Sequence, residues 1–237
     1  MSLKKFFLKS NLSYKIYLYY NLYIRHKCFL NRKKYSQWGE DLEIINFFQN
    51  KPNGFYLDIG CFHPFMYSNT CLLHKKGWSG INIDINQTSI DLFNLARPKD
   101  INLCTTIDEK KRDFKVYFDD AFSPVNTINK DFYLKLRGLF FKNEKFLNIK
   151  SQTIDEITNI HHNNLDIDFI NIDVEGSDYE ILKQIDLTKF NVKLIAIETH
   201  PIDNIESDSV PQILNFLYKN NFTIYKKIGP TSLFRKQ

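Results

Sequence analysis

Two apolar stretches of this chain end in clusters of acids. The segment "FINIDVEGSD" carries Asp173, Glu175 and Asp178, and "IAIETH" carries Glu198 and His200. Alternate residues of a strand share a face, so Asp173 points the same way as Glu175, and Glu198 the same way as His200. Carboxylates this close repel each other unless a proton, a metal ion or a ligand's positive charge lies between them. Acids from neighbouring strand tips, beside a neutral imidazole, can work as a general base. With Asp173, Glu198 and His200 as ligands they can also hold a hard divalent cation such as Mg or Mn. Asp178 has a second reading, as the cap of the helix that Gly176 opens.

A second group of chemistry-bearing residues surrounds "GFYLDIGCFHP", residues 54–64. Gly60 lets the backbone turn sharply and come close to a ligand, with the Asp58 carboxylate beside it. Asp84 ends the next strand-like stretch 24 residues after Gly60, where a carboxylate can accept both hydroxyls of a ribose. The G-x-G-x-x-G pattern that lays a pyrophosphate against a helix N-terminus is missing, because Cys61, Phe62, His63 and Pro64 follow Gly60. A bulky, acid-lined loop opposes a diphosphate but can enclose a nucleoside with a cationic amino-acid tail, and S-adenosylmethionine is such a ligand. Asp58, Gly60, Cys61 and Asp84 are the cofactor-binding residues expected here, and His63 is a weaker base candidate. Thr105 and Thr106, further on, either meet the adenine edge or are ordinary β-branched strand residues.

The elements that must position these groups read as strands at 55–60, 80–85, 101–107, 167–174 and 193–200, with helices around 68–76, 87–95, 177–185 and 207–220. Ser68 or Asn69 is the expected N-cap of the first of these helices. Apolar strands alternating with helices imply a parallel sheet covered on both faces. "FTIYKKI" and "TSLFRK" are separated only by Gly229-Pro230, too short a link for a parallel crossover, and should pair as an antiparallel hairpin at the sheet's edge. Residues 108–152 break the alternation, with a short strand "FKVYFDD", a turn at Ser123-Pro124, an aromatic helix-like run near 131–147, and "NIKSQTIDEI". An insertion of this kind usually forms a lid or sets substrate specificity.

The formal charge of +5 is concentrated at the front, where residues 1–39 hold nine Lys or Arg and no acid. The rest is slightly acidic, which excludes a nucleic-acid-binding surface on the body. Residues 1–34 are expected to be a basic, aromatic helical extension, which packs on the body or a second subunit, or lies on an anionic membrane surface. No window has the roughly 20 apolar residues of a spanning helix. The four cysteines show neither disulfide nor zinc spacing, consistent with a reducing cytosol.

Taken in order, "YSQWGED", "GFYLDIGCFHPFMYSNT", "KKGWSGINIDIN", "ARPKDINL", "FINIDVEGSDYEIL" and "IAIETH" resemble the FkbM-type family of S-adenosylmethionine-dependent methyltransferases over roughly residues 35–237. The loop departs from the family at Phe62, where a small residue is more usual. The resemblance implies a class I methyltransferase fold, a Rossmann-like α/β domain with a seven-stranded, mostly parallel sheet whose last strand runs antiparallel. It implies that Gln37 folds over the cofactor or acceptor pocket and that Asn69 lies near the methyl donor, with Thr106 and Asp173 also at the cofactor. The activity it implies is methyl transfer to a hydroxyl, expected on a nucleotide-activated or polysaccharide-linked sugar of a bacterial surface polysaccharide, with Asp173, Glu175, Glu198 and His200 catalytic. Lys75, Lys76, Arg97 and Lys99 are then candidates to meet the phosphates of a nucleotide sugar. The rival readings are an NAD-dependent oxidoreductase or epimerase, and a non-catalytic module docking to a membrane or a complex. A cytoplasmic protein, peripheral at the inner membrane face or homo-oligomeric, fits this picture.

Overall fold

A computed structural model describes residues 11–118, 126–136, 145–161, 166–174, 176–199 and 209–237. Glu175, His200 and the turn expected at Ser123-Pro124 lie outside the described residues. The main sheet consists of β1 (Phe55–Ile59), β2 (Ser79–Asp84), β3 (Ile101–Cys104), β7 (Phe169–Ile172), β8 (Leu194–Glu198), β9 (Phe222–Ile228) and β10 (Thr231–Lys236), in the order β3-β2-β1-β7-β8-β10-β9. All neighbours from β3 to β8 pair in parallel, and β10 runs antiparallel to both β8 and β9. The terminal hairpin therefore closes one edge as its two-residue link requires.

The chain walks outward from β1 to β3 on one side, then restarts at β7 on the other. The strand order thus reverses between β1 and β7, where a parallel sheet leaves a crevice beyond its strand ends. Register levels those ends: Ile59 is opposite both Ile83 of β2 and Ile172 of β7.

Alternation along each strand decides which face its side chains cover. Leu57, Ile59, Ile81, Ile83, Ile170, Ile172, Ile195 and Ile197 form one apolar layer, backed by Ile181, Ile213 and Leu217 of the helices. Tyr56, Phe169, Leu194, Ala196 and Leu233 face the other way, against Ile44, Phe48, Leu73 and Trp78. Each large apolar side chain taken out of water contributes on the order of 1.5–3 kcal/mol, so both faces are held as firmly as a parallel sheet needs.

Three expectations from the sequence need correction. "INLCTTI" is not one strand: after Cys104 the chain leaves the main sheet, and Thr106–Ile107 (β4) pairs instead with β6 (Lys145–Gln152). Thr105 Oγ1 donates to the Lys150 carbonyl at 2.8 Å and fixes the departure. With β5 (Asp113–Phe118), β4 and β6 make a second, three-stranded sheet ordered β4-β6-β5. The aromatic run read as helix is likewise a short helix, Lys130–Leu136, and the start of β6; pairing with β5 overrides local propensity there.

The first crossover helix, Cys71–Lys75, starts later than expected, with Thr70 as its N-cap and no side-chain cap bond. Ser68 and Asn69 are engaged elsewhere. The Ser68 hydroxyl accepts from Arg97 at 3.0 Å, and the Asn69 amide donates to Asn171 at 2.9 Å.

The basic leader forms a helix over Asn11–Tyr20, a wider turn over Asn21–Arg25 and a 3-10 turn over Lys27–Phe29. Its inner side packs on the body, as one of the expected arrangements has it: Leu18 and Leu22 meet Leu92 of the helix Gln87–Ala96, and Tyr14 donates to Asp91 at 2.6 Å. No helix among the described residues is long and apolar enough to cross a membrane.

Candidate functional site

The crevice is real. A cleft lined by residues of all three strands and partly open to solvent lies at the carboxyl ends of β1, β2 and β7, where a parallel sheet binds its ligands. Its floor is set by Gly60, whose φ is +81° and whose added Cβ would lie 1.7 Å from the Asp173 carbonyl oxygen. A side chain cannot fit there, and the left-handed conformation independently selects glycine. The amides of Gly60 and Cys61 both donate to the Ile83 carbonyl, at 2.8 and 3.1 Å, and hold the turn against β2.

Asp84 stands at the tip of β2. Its Oδ2 accepts the Phe62 amide at 2.8 Å and its Oδ1 the Asn86 amide at 2.7 Å. Burial outweighs these donors and pushes its pKa up to about 6. The Ile85 amide donates to the carboxylate as well, so three backbone donors share its roughly four lone-pair sites and leave room for a ligand hydroxyl. Phe62 adopts φ +49° to aim its amide at Asp84, and Tyr67, at φ +56°, stacks on its ring with centroids 6.5 Å apart. Non-glycine residues in left-handed conformations cluster where a loop must be held in one functional shape.

Thr105 and Thr106 line the cleft on the β3 side. So does a residue that sequence reasoning missed. Asn126, from the insertion, reaches the cleft, and its side-chain Oδ1 is buried with no hydrogen-bond partner among the described residues. A buried amide oxygen left without a donor costs about 1–3 kcal/mol, a deficit that a ligand N–H would remove. No motif or spacing marks Asn126, because it lies in the irregular segment whose placement depends on the second sheet.

The acids gather on the β7 and β8 side. Burial, and then the charge of Asp178, push Asp173 up to about 7. Asp173 is nonetheless exposed toward the cleft, so solvent and any ligand there can reach its carboxyl and screen part of that shift. Glu198 is raised further, to about 8, by burial and by the charges of Asp173 and Asp178. Burial also raises Asp178, to about 6. Its Oδ1 accepts the Val174 amide at 3.3 Å, tying down the turn after β7, while Ser177 takes the N-cap position of the helix Asp178–Leu182. Glu40, buried at the start of the helix Glu40–Phe47, adds its charge to the field at Asp173 and accepts the Trp38 amide at 2.8 Å. Of these acids Asp173 lines the cleft, as Asp84 does, while Asp178, Glu198 and Glu40 are not among its lining residues; their charges still make the field at Asp173 favourable to a cation.

Among the described residues no group of three or more His, Cys, Asp or Glu side chains is arranged to hold a metal ion. Asp173 and Glu198 influence each other's protonation, but His200, the third expected ligand, lies outside the described residues.

Of the residues expected at a cofactor, Gly60, Asp84, Thr106 and Asp173 line the cleft, and Asp58, Cys61, Asn69 and Gln37 are not among its lining residues. Asp58 lies beneath it, with Oδ2 accepting Thr70 Oγ1 at 2.6 Å and Oδ1 accepting the Asn171 amide at 2.9 Å. Asn171 accepts in turn from Asn69, so Asp58 and Asn69 bolt the segment before the first crossover helix to β7. Cys61 is buried beside Ile90 and Phe93. Gln37 is exposed, with its carbonyl 3.4 Å from Lys34 Nζ.

His63 is fully buried, and its Nδ1 accepts the amides of Phe65 and Met66 at 3.1 and 3.0 Å. Burial lowers its pKa to about 3. It is a neutral brace of the loop rather than a base. Arg97 cannot meet a substrate phosphate, because it is fully buried and donates to Tyr56, Thr70, Ser68 and the Pro64 carbonyl. Lys75 and Lys76 are likewise engaged with main-chain carbonyls, of Leu30 and of Phe48 and Gln49.

Residues 48–224, about three quarters of the chain, match the family model described as the Methyltransferase FkbM domain. No curated protein matches the chain.

Proposed function

The chain belongs to the FkbM methyltransferase family and is a methyltransferase; from that premise we propose that it uses S-adenosylmethionine to methylate a hydroxyl of a sugar. The acceptor in this reading is a nucleotide-activated or polysaccharide-linked sugar of a bacterial surface polysaccharide, and the enzyme works in the cytoplasm. The family supplies the reaction class, the sugar is extrapolated from where such enzymes often work, and one observation supports the donor. On its glycine floor the cleft combines the Asp84 carboxylate at the tip of β2, an unsatisfied amide oxygen and the Asp173 carboxyl, whose pKa is raised, with Glu198 on the neighbouring strand tip. Those groups fit a ribose, a nucleobase amine and a cationic tail, in that order. The bulky Cys61-Phe62-His63-Pro64 sequence leaves no glycine-rich cradle for a pyrophosphate.

When bound, the sulfonium donor supplies an electrophilic methyl carbon. The chain's own residues do the rest. Asp84 accepts the ribose hydroxyls. Thr105, Thr106 and Asn126 line the nucleobase side, where Asn126 Oδ1 accepts an exocyclic amine. Asp173 neutralises the amino-acid tail. Glu198, at the tip of the adjoining strand, removes the acceptor's proton, a step worth roughly 10²–10⁴ in rate. Left to itself Glu198 is largely protonated at neutral pH. A positive charge entering the cleft favours its ionised form, so base and substrate are readied together.

Calorimetry with S-adenosylhomocysteine and with NAD separates this reading from a dehydrogenase or epimerase: binding of NAD alone would overturn it. Labelled donor and a panel of nucleotide sugars, with and without chelator, then test the acceptor and any dependence on metal.

A further inference from the structure

The leader helix uses only one side for the fold. Tyr14, Leu18 and Leu22 turn inward onto the helix Gln87–Ala96. The opposite side presents Leu12, Ile16, Tyr19, Tyr20, Tyr23 and Ile24, each between 43% and 71% exposed. Five of these follow i, i+4, i+7, i+8 and i+11 spacing, so they form one continuous stripe. Large apolar side chains gathered along one face mark a contact surface, whereas scattered ones do not.

Charge selects what the stripe contacts. Residues 1–39 hold nine Lys or Arg and no acid. Lys15, Arg25, Lys27, Arg32, Lys33 and Lys34 are exposed around the stripe and beyond its end. Tyrosine, with an apolar ring and a polar tip, is suited to the boundary between headgroups and acyl chains. The 10-residue helix is too short to span a bilayer but long enough to lie along one.

We propose that this face docks the protein on an anionic membrane surface, with the apolar stripe among the headgroups and the basic side chains on lipid phosphates. The docked segment continues to the cleft. His26 meets His63 with centroids 5.3 Å apart, Phe29 meets Tyr67 at 6.1 Å, and Tyr67 stacks on Phe62, which lines the cleft. Lipid contact is thereby linked to the wall of the site through packed rings. The surface itself does not depend on which donor or acceptor the enzyme uses.

Sedimentation of the full chain with vesicles tests this. The expected result is binding to phosphatidylcholine mixed with phosphatidylglycerol, little binding to phosphatidylcholine alone, and release by high salt. Reversing two exposed charges, Lys15→Glu with Lys27→Glu, should weaken binding about tenfold or more. Ile16→Ser with Ile24→Ser should do the same without lowering the melting temperature, because both side chains are already in solvent. Equal binding to both vesicles, or to neither, overturns the proposal. So does a dimer in light scattering that the serine variant dissociates, since the stripe would then belong to a second copy of the chain.

Discussion

Glu198→Gln isolates what the site asks of its acids. Glu198 is carried from an ordinary 4.5 to about 8 by burial and by the charges of Asp173 and Asp178, which corresponds to roughly 4–5 kcal/mol for the fully ionised side chain at 1.36 kcal/mol per pH unit. Solvent reaches this half-buried group, and screening cuts the figure to about 2 kcal/mol. The sign follows from proton uptake. Between about pH 4.5 and 8 the folded state holds the proton more tightly than the unfolded chain does, so stability is complete below that window and falls as pH rises through it. Glutamine has nothing to ionise. Near pH 4 the variant and the parent should therefore melt together, and near pH 8.5 the variant should melt about 4–8 °C higher. Thermal unfolding of both proteins across that range is the assay. A melting difference that does not change with pH, or a parent that gains on the variant at high pH, would refute the idea that Glu198 is an uncompensated carboxylate. If Glu198 is also the base, the stabilised variant should lose about 10²-fold or more in turnover while still binding S-adenosylhomocysteine.

Other outcomes follow from the same geometry. Gly60→Ala drives a methyl group against the Asp173 carbonyl at a left-handed position and should cost about 3–5 kcal/mol in urea unfolding; a loss under about 1 kcal/mol would mean that β1 and β7 are not joined as described. Arg97→Met leaves Tyr56, Thr70 and Ser68 without their central donor and the Asp58 and Asp100 charges without a cation, for an expected loss of about 3–5 kcal/mol, with exposed Lys99→Met near neutral as control. Asp84→Asn should weaken S-adenosylhomocysteine about tenfold by calorimetry, and an unchanged affinity would displace the ribose from β2. Asn126→Leu should weaken the same ligand about threefold to tenfold, the value of one neutral hydrogen bond to a nucleobase, without lowering the melting temperature, because it also removes an unpaired buried oxygen.

Much of the frame was legible in the residues alone. Runs such as "FYLDI" and "GINID" are apolar enough to be buried on both faces, which a parallel sheet demands, and the two-residue link before "TSLFRK" admits only an antiparallel return. Gly60, Asp84, Thr106 and Asp173 could be placed at the cleft because a strand's end and the reversal of strand order fix where a parallel sheet binds.

What the sequence could not decide is where a polar side chain turns once it is buried. Asp58 and Asp84 both sit at strand tips, yet Asp58 faces down into Thr70 and Asn171 while Asp84 faces the cleft. Arg97 reads as a surface cation and is fully buried at the centre of a hydrogen-bond network with four residues that lie 27 to 41 positions away in sequence. Thr105 marks the place where a strand leaves one sheet for another, and Asn126 enters the cleft only because that second sheet exists. Local pattern specifies elements, since it depends on neighbours a few residues apart. Partners of buried polar groups come from residues tens of positions away, and only the packed chain brings them within a hydrogen bond's length.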